Sequence, residues 1–507
     1  RFGGFGDKPK FPTAHQLIFL LREHHYTGNV EALEMVEKTL THMRMGGIYD
    51  HIGFGFHRYS TDEEWLLPHF EKMLYDQAIN ALAYIEAYQV TGRKFYRQTA
   101  EEVFTYVLRD MRDEQGGFYS AEDADSEGEE GKFYVWTQEE IMSLLGEEEG
   151  KLFCEVFSIQ REGNYHEEAT RRPTGKNIPH LQRSLEEWAA ALQMDEGELR
   201  KRLEKSRQIL FEAREKRVHP LKDDKILTDW NGLMIAALSR AGQVFDNPEY
   251  TQAARNAADF ILNTMTTNDN RLMHRYREGE VAISGYLDDY AFFIWGLIEL
   301  YETTFEITYL QKALDFTRVV LQHFEDVQEG GFYFTPDDGE KLLVRKKEIY
   351  DGAIPSGNSV MMNNLLRLGR MVGKPEWEDK ALEVGKAFSE QVKRYPPGYS
   401  ILLMGTRYAL KGGFEIVVVG KKGADDTQRL LKAIFDRYLP NKVLLFKPVD
   451  DNNNQLGDLV EFTKPMTAIN NQATVYVCRN YACELPTTDI HTMLSLLGVE
   501  NQERNTN

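Results

Sequence analysis

Between Gly46 and Asp76 the chain gathers His51, His57, His69, Arg58, Glu71 and Asp76 among glycines and aromatic residues, in a loop that runs into an amphipathic helix. Imidazole, guanidinium and carboxylate groups in one loop can move protons and hold a polar ligand. His57 or His69 is the candidate proton-transfer residue, Glu71 or Asp76 its acid/base partner, and Arg58 the group that holds a ligand oxygen. The helix needs none of them. Met73, Leu74, Ala78, Ile79, Leu82 and Ile85 already give residues 71–90 an apolar stripe at helical spacing. Glu71 and Asp76 stand five residues apart, so at most one of them is expected to reach a common centre. The competing structural reading is a capped loop that closes a helix mouth.

Three further polar segments have the same character. In Ser120–Gly131, Asp123, Asp125, Glu127 and Gly128 match the first half of a calcium loop, but Tyr134 occupies the position that requires a bidentate glutamate. No metal is therefore expected; Asp123 and Asp125 face a polyhydroxyl ligand or join a cluster with lysine and arginine. Asp229-Trp230-Asn231 and Asp288-Asp289-Tyr290 each open a helix, where Asp and Asn are good caps. Capping explains one acid per helix but not the aromatic companions Trp230, Tyr286 and Tyr290, which offer flat faces to a sugar ring. Asp351, Ser356 and Asn358 surround another helix start, a pattern equally suited to capping and to ligand hydrogen bonding. Paired carboxylates across a mouth would serve glycosidic cleavage, and His with Glu would serve proton abstraction beside a carbonyl. Gly420-Lys-Lys-Gly lacks the spacing of a phosphate loop, so no cofactor is expected. Cys478 and Cys483 lack the spacing of a redox pair and are assigned a structural role.

These groups lie hundreds of residues apart, and a repeat must bring them together. An aromatic residue followed four positions later by alanine recurs at Tyr96/Ala100, Tyr250/Ala254, Tyr309/Ala313 and Trp377/Ala381, each after a brief turn from a preceding apolar helix. Each unit reads as an antiparallel helical hairpin. Hairpins are expected over 13–24/30–44, 71–90/95–111, a divergent third from Gln138–Leu145 to Leu185–Arg217, then 229–245/249–265, 289–305/310–324 and 356–372/376–392. Six hairpins can close into a mainly α, double-walled (α/α)6 barrel over residues 1–411. Short links inside hairpins and long polar ones between them make one end scaffold and the other a site. After Gly412 the texture becomes strand, helix, strand, strand, helix, predicting a small C-terminal α/β unit over 412–507, with Asp450–Gln455 as a turn.

Aromatic content of 12% and apolar content of 42% mark a globular chain of 507 residues. A net charge of −20 argues against nucleic acid as a partner. No apolar run has the length of a membrane span, and three cysteines fit a reducing cytoplasm. Lacking an initiator Met at Arg1, the chain reads as starting inside a longer protein.

Several long motifs carry a family likeness. Gly3-Gly-Phe-Gly, Phe56-His-Arg-Tyr-Ser, Pro68-His-Phe-Glu-Lys-Met-Leu-Tyr-Asp, Gly117-Phe-Tyr-Ser-Ala-Glu-Asp-Ala-Asp-Ser, Asp229-Trp-Asn-Gly-Leu-Met and Asp351-Gly-Ala-Ile-Pro-Ser-Gly-Asn-Ser resemble, in order, the spermatogenesis-associated thioredoxin-like family, known as YyaL in bacteria. The resemblance implies a barrel similar to six-hairpin glycosidases and N-acylglucosamine 2-epimerases, with a thioredoxin-like domain, missing here, as partner. The functional expectation is a carbohydrate-active barrel that binds a sugar or polyol and epimerises, isomerises or hydrolyses it. The alternative is a non-catalytic binding or scaffold module working with the thioredoxin-like domain.

Overall fold

The computed structural model describes residues 2–166, 173–450, 455–500 and 502. Residues 451–454 of the expected Asp450–Gln455 turn lie outside that set. In chain order the helices up to Gly412 are α1 (Ala14–Thr27), α2 (Val30–Met45), α3 (Leu74–Thr91), α4 (Lys94–Asp110), α5 (Gln138–Leu145), α6 (Glu147–Val156), α7 (Leu185–Ala191) and α8 (Glu196–Arg214). They continue with α9 (Thr228–Phe245), α10 (Pro248–Thr264), α11 (Leu287–Thr304), α12 (Ile307–His323), α13 (Gly357–Val372), α14 (Pro375–Ala387), α15 (Ser389–Arg394) and α16 (Ser400–Lys411).

Two burial patterns separate these helices. In α3, α9 and α11 almost every residue is buried, whereas α4, α10 and α12 bury one stripe. A helix buried all round belongs to an inner wall, and one with a single apolar stripe to an outer wall. Accordingly α1, α3, α9, α11, α13 and α16 pack side by side in that order, and α16 returns to α1. His15 Nδ1 lies 2.6 Å from Ser400 Oγ, and Arg407 pairs with Glu23 at 3.1 Å across this closure. All six inner helices line one central cavity, to which Ile18, Leu82, Arg240, Glu299, Arg367 and Tyr408 each bring a side chain. The chain is thus an (α/α)6 barrel, with α2, α4, α10, α12 and α14 outside their partners.

The membership of the ring differs from the sequence reading in two places. The third expected hairpin is not part of it: α5 to α8 build a separate core around Trp136, Ile141, Phe153 and Leu199. The reason lies in α8, whose charged sequence leaves only Leu199, Leu203, Ser206, Leu210 and Arg214 buried, too narrow a stripe for an inner wall. The sixth inner helix is instead α16, which buries Ile401, Leu402, Met404 and Tyr408.

Contact between α9 and α11 is the closest in the ring. A Cβ on Gly232 would stand 2.5 Å from the carbonyl carbon of Phe292, and one on Gly296 2.7 Å from the oxygen of Gly232. Only glycine at both positions lets the two backbones touch, and that contact draws together the acids at the two helix starts.

Beyond α16, strands β1 (Phe414–Gly420), β2 (Lys442–Pro448), β3 (Thr474–Arg479) and β4 (Ala482–Cys483) form a sheet in the order β2-β1-β3-β4. β1 and β2 are parallel; β3 and β4 are each antiparallel to their neighbours. Val417, Val419, Val443 and Leu445 face the barrel core, while Ile416, Val418, Leu444 and Phe446 face the two helices Asp425–Phe435 and Ile490–Leu496. A sheet covered on both faces explains the unbroken apolar run of β1. Cys478 and Cys483 sit opposite each other in β3 and β4 and form a disulfide.

Candidate functional site

Because inner and outer helices alternate as hairpins, the inner helices run in one direction and their N-termini share one mouth. Short strands knit it: Lys72–Met73 pairs with Ala121–Glu122, which pairs with Lys222–Asp223. Three of the expected polar segments meet there as a result.

Asp229 in the first turn of α9 and Asp288 with Asp289 in the first turn of α11 form the centre. His274, from the hairpin Met273–Arg277/Glu280–Ser284, places Nδ1 2.9 and 3.0 Å from the two oxygens of Asp289. Asp289 also accepts from the backbone N–H groups of Asp229 and Tyr286, at 3.1 and 2.8 Å. A helix start normally favours a carboxylate, yet burial followed by the charge of Asp289 lifts Asp229 to about 7, against the pull of His274. Asp288 is likewise raised well above the usual carboxylate range, by burial and then by Asp229 and Asp289. Burial pulls His274 down, but its hydrogen bonds to Asp289 and that residue's charge outweigh it and raise the imidazole to about 9. The cluster therefore sets an imidazolium at His274 beside two carboxyls, Asp229 and Asp288, that burial and like charge raise.

The second group lies at the start of α3. Arg58 Nη1 pairs with Glu71 Oε2 at 2.8 Å, His69 Nε2 lies 3.6 Å from the same oxygen, and His69 Nδ1 is 2.7 Å from Glu130. Hydrogen bonding to Glu71 raises His69, and the same bond lowers Glu71. Asp76 is 8% exposed with Oδ2 unpartnered, and burial raises it well above the usual range. Tyr75 links the groups: its ring meets Trp230 edge-on with centroids 4.8 Å apart.

Other expected site residues are placed in the framework. Asn231 accepts from Phe118 N–H at 2.8 Å and donates to Phe118 O at 2.9 Å; Asn358 does the same to Phe332, at 2.7 and 2.9 Å. Gln77 repeats the clamp on Phe56, and Tyr290 accepts from the Leu272 N–H with its hydroxyl. A side chain near the start of four inner helices thus pins the loop that leads from the preceding outer helix. Asp351 accepts from Ser356 and Ile401 N–H groups, and Ser356 caps α13. His57 is buried and bonded to Phe70 O; burial and then Lys72 lower it to about 3, so it stays neutral. Asp123 and Asp125 are exposed, at and just before the 125–130 hairpin, from which Glu130 instead reaches His69. Asn231→Ala would strand the buried Phe118 N–H and is expected to lose about 2 kcal/mol in urea unfolding; an unchanged midpoint would contradict the clamp.

Asp229, His274 and Asp289 offer ligand atoms within 4.8 Å of one another, close enough for one cation. His274 already engages both Asp289 oxygens, so a metal would have to break that pair. His274 is the main residue the sequence reading passed over. Its one signal was the turn Glu278-Gly279 between the two short strands Met273–Arg277 and Glu280–Ser284.

The chain matches no family model. It is 37% identical to spermatogenesis-associated protein 20 of Homo sapiens over 98% of its own length and 67% of the relative's. An uncharacterized Caenorhabditis elegans protein is 31% identical over 98% of this chain and 71% of its own. Among solved structures, an unsaturated glucuronyl hydrolase specific for heparin is 12% identical with TM-score 0.44, over 75% of this chain and 73% of its own. A sugar epimerase from a ruminal bacterium is 17% identical with TM-score 0.32, over 71% of this chain and 90% of its own. Those superpositions are loose, and the ring described above rests on the helix contacts of this chain.

Proposed function

Since the chain belongs to the spermatogenesis-associated protein 20 family, we propose for it a carbohydrate-active mouth in which Asp288 and Asp229 transfer protons to and from a bound sugar or polyol. The observation that carries this reading is the clustering of Asp229, Asp288 and Asp289 at two adjoining helix starts, where burial and like charge raise Asp229 and Asp288, beside an aromatic pair. Asp288 is the proton donor to a leaving or ring oxygen, and Asp229, poised at about 7, is the acceptor. Asp289, held by His274, anchors the backbone of Asp229. Trp230 with Tyr75 supplies the face for the ring, and Arg58, Glu71, His69 and Asp76 form the rim that grips hydroxyls. Carboxyls in split protonation states serve glycoside hydrolysis, and the His69–Glu71 pair would serve epimerisation.

The test is a panel of glycosides and reducing sugars, scored for both release and epimer formation. Turnover is expected on one class, with Trp230→Ala raising KM about tenfold or more through the lost stacking face. A panel with neither turnover nor saturable binding would favour the scaffold reading. The thioredoxin-like domain implied by the family resemblance would act beside this mouth, since Cys154 is buried and the other two cysteines are paired in the α/β unit. A cytoplasmic setting is part of the proposal. No described helix is long and apolar enough to cross a membrane.

A further inference from the structure

Opposite the mouth, the lumen holds a cavity of about 60 Å3 that Leu439–Lys442 of the α/β unit help to line. Its wall is charged. Arg22, Arg240, Arg367 and Lys442 face Glu86, Glu299 and Glu302, an excess of one positive charge. Most of these groups are paired: Arg22 with Glu86 at 3.2 Å, Arg367 with Glu299 at 2.6 Å and with Glu302 at 3.3 Å, and Lys442 with Glu302 at 2.7 Å. Burial alone would raise Glu299, but Arg367 and then Arg240 hold it down to about 2, so it is ionised.

Arg240 is the exception. Its nearest carboxylate contact is Nε to Glu299 Oε2 at 3.9 Å, beyond hydrogen-bond reach, and among the described residues its guanidinium donates no hydrogen bond. Glu299 Oε2 is itself unpartnered. Tyr408 also lines the cavity, is 3% exposed, and its hydroxyl has no hydrogen-bond partner among the described residues. A guanidinium carries five donors, and the Arg240 side chain, 13% exposed, turns them to this cavity with no described carboxylate in hydrogen-bond reach. Water would satisfy some donors but leave the excess charge uncompensated; an anion with several oxygens does both. The volume accommodates about four waters, or one ion of phosphate or short-carboxylate size.

We propose that this cavity binds one small oxyanion, gripped by Arg240 and Tyr408 at the junction of barrel and α/β unit. The shared chemistry is a compact group of acceptor oxygens carrying negative charge, as on phosphate or a short carboxylate. Lys442 comes from the α/β unit, so the bound ion ties that unit to the ring.

The proposal is independent of the mouth. It is tested by isothermal titration of the full chain with inorganic phosphate and, separately, with acetate, in chloride buffer at fixed ionic strength. One saturable site is expected with at least one of the two, and the tighter one identifies the oxyanion chemistry. Arg240→Gln is expected to weaken it roughly tenfold or more, the loss of a charged hydrogen bond. Tyr408→Phe removes a hydroxyl that bonds to nothing among the described residues, so folding is preserved, and it should weaken binding about threefold or more. Absence of saturable binding of either anion would overturn the proposal. So would unchanged affinity in Arg240→Gln, or in Tyr408→Phe should the arginine variant fail to fold.

Discussion

Replacing Asp50 with alanine is expected to cost about 3–5 kcal/mol of stability at pH 7, because it leaves two buried cations without a counter-charge. Asp50 Oδ2 accepts from Lys72 Nζ and Oδ1 from Arg214 Nη1, both at 2.9 Å, with each side chain at most 4% exposed. Lys72 belongs to the strand before α3, whereas Arg214 ends α8, so this triad fastens the inserted helices to the mouth. Burial alone would raise the Asp50 carboxyl, but Arg214 and Lys72 hold it well below its usual value. The sign follows: the contribution is present above the unfolded carboxylate pKa of about 4 and is lost as pH falls further. Denaturant curves of wild type and variant should therefore be far apart at pH 7 and converge in acid. A variant within about 0.5 kcal/mol of wild type at pH 7 would contradict the triad's role.

The second large effect is expected at Asp229, and it acts in opposite directions on activity and stability. Asp229→Asn removes the proton acceptor of the proposed reaction and should lower kcat by about 10²–10⁴. The same change should stabilise the fold at pH 8. Asp229 is buried, and its folded pKa of about 7 lies above the unfolded carboxylate value, so its contribution is intact below pH ~4 and is lost as pH rises through 7. Asparagine does not ionise and escapes that loss. A gain on the order of 2–4 kcal/mol at pH 8 with none at pH 4 is expected, each pKa unit being about 1.4 kcal/mol. Equal stability of the two proteins at both pH values would show that Asp229 is an ordinary carboxylate.

The hairpins were legible in the sequence wherever an outer helix carries its aromatic-alanine mark: Tyr96, Tyr250, Tyr309 and Trp377 all fall on outer helices. α16 has no outer helix after it, so it carries no such mark, and its short apolar run follows Pro396-Pro397-Gly398. The divergent third unit was given its place instead. Chemistry was harder to read than architecture, because an amide at a helix start suits a ligand and a loop clamp equally well. The clamping of Phe118 and Phe332 by Asn231 and Asn358 shows only in their hydrogen bonds. His57 and His69 look alike in sequence, yet one is sealed beside Lys72 and the other half-open between Glu71 and Glu130. His274 joins Asp289 across a β-hairpin that sequence spacing does not point to the mouth. The lumen charges on Arg240 and Arg367 were invisible for a related reason: each reads as the polar face of an otherwise ordinary helix.

The most direct test of the account is the pH titration of the Asp229 carboxyl in the full chain, followed by carbon NMR with selectively labelled aspartate and assigned by Asp229→Asn. A midpoint near 7 is predicted, shifting when Asp288→Asn removes a neighbouring acid. A midpoint at the ordinary carboxylate value of about 4 would contradict the proton-bearing mouth and the chemistry proposed for it.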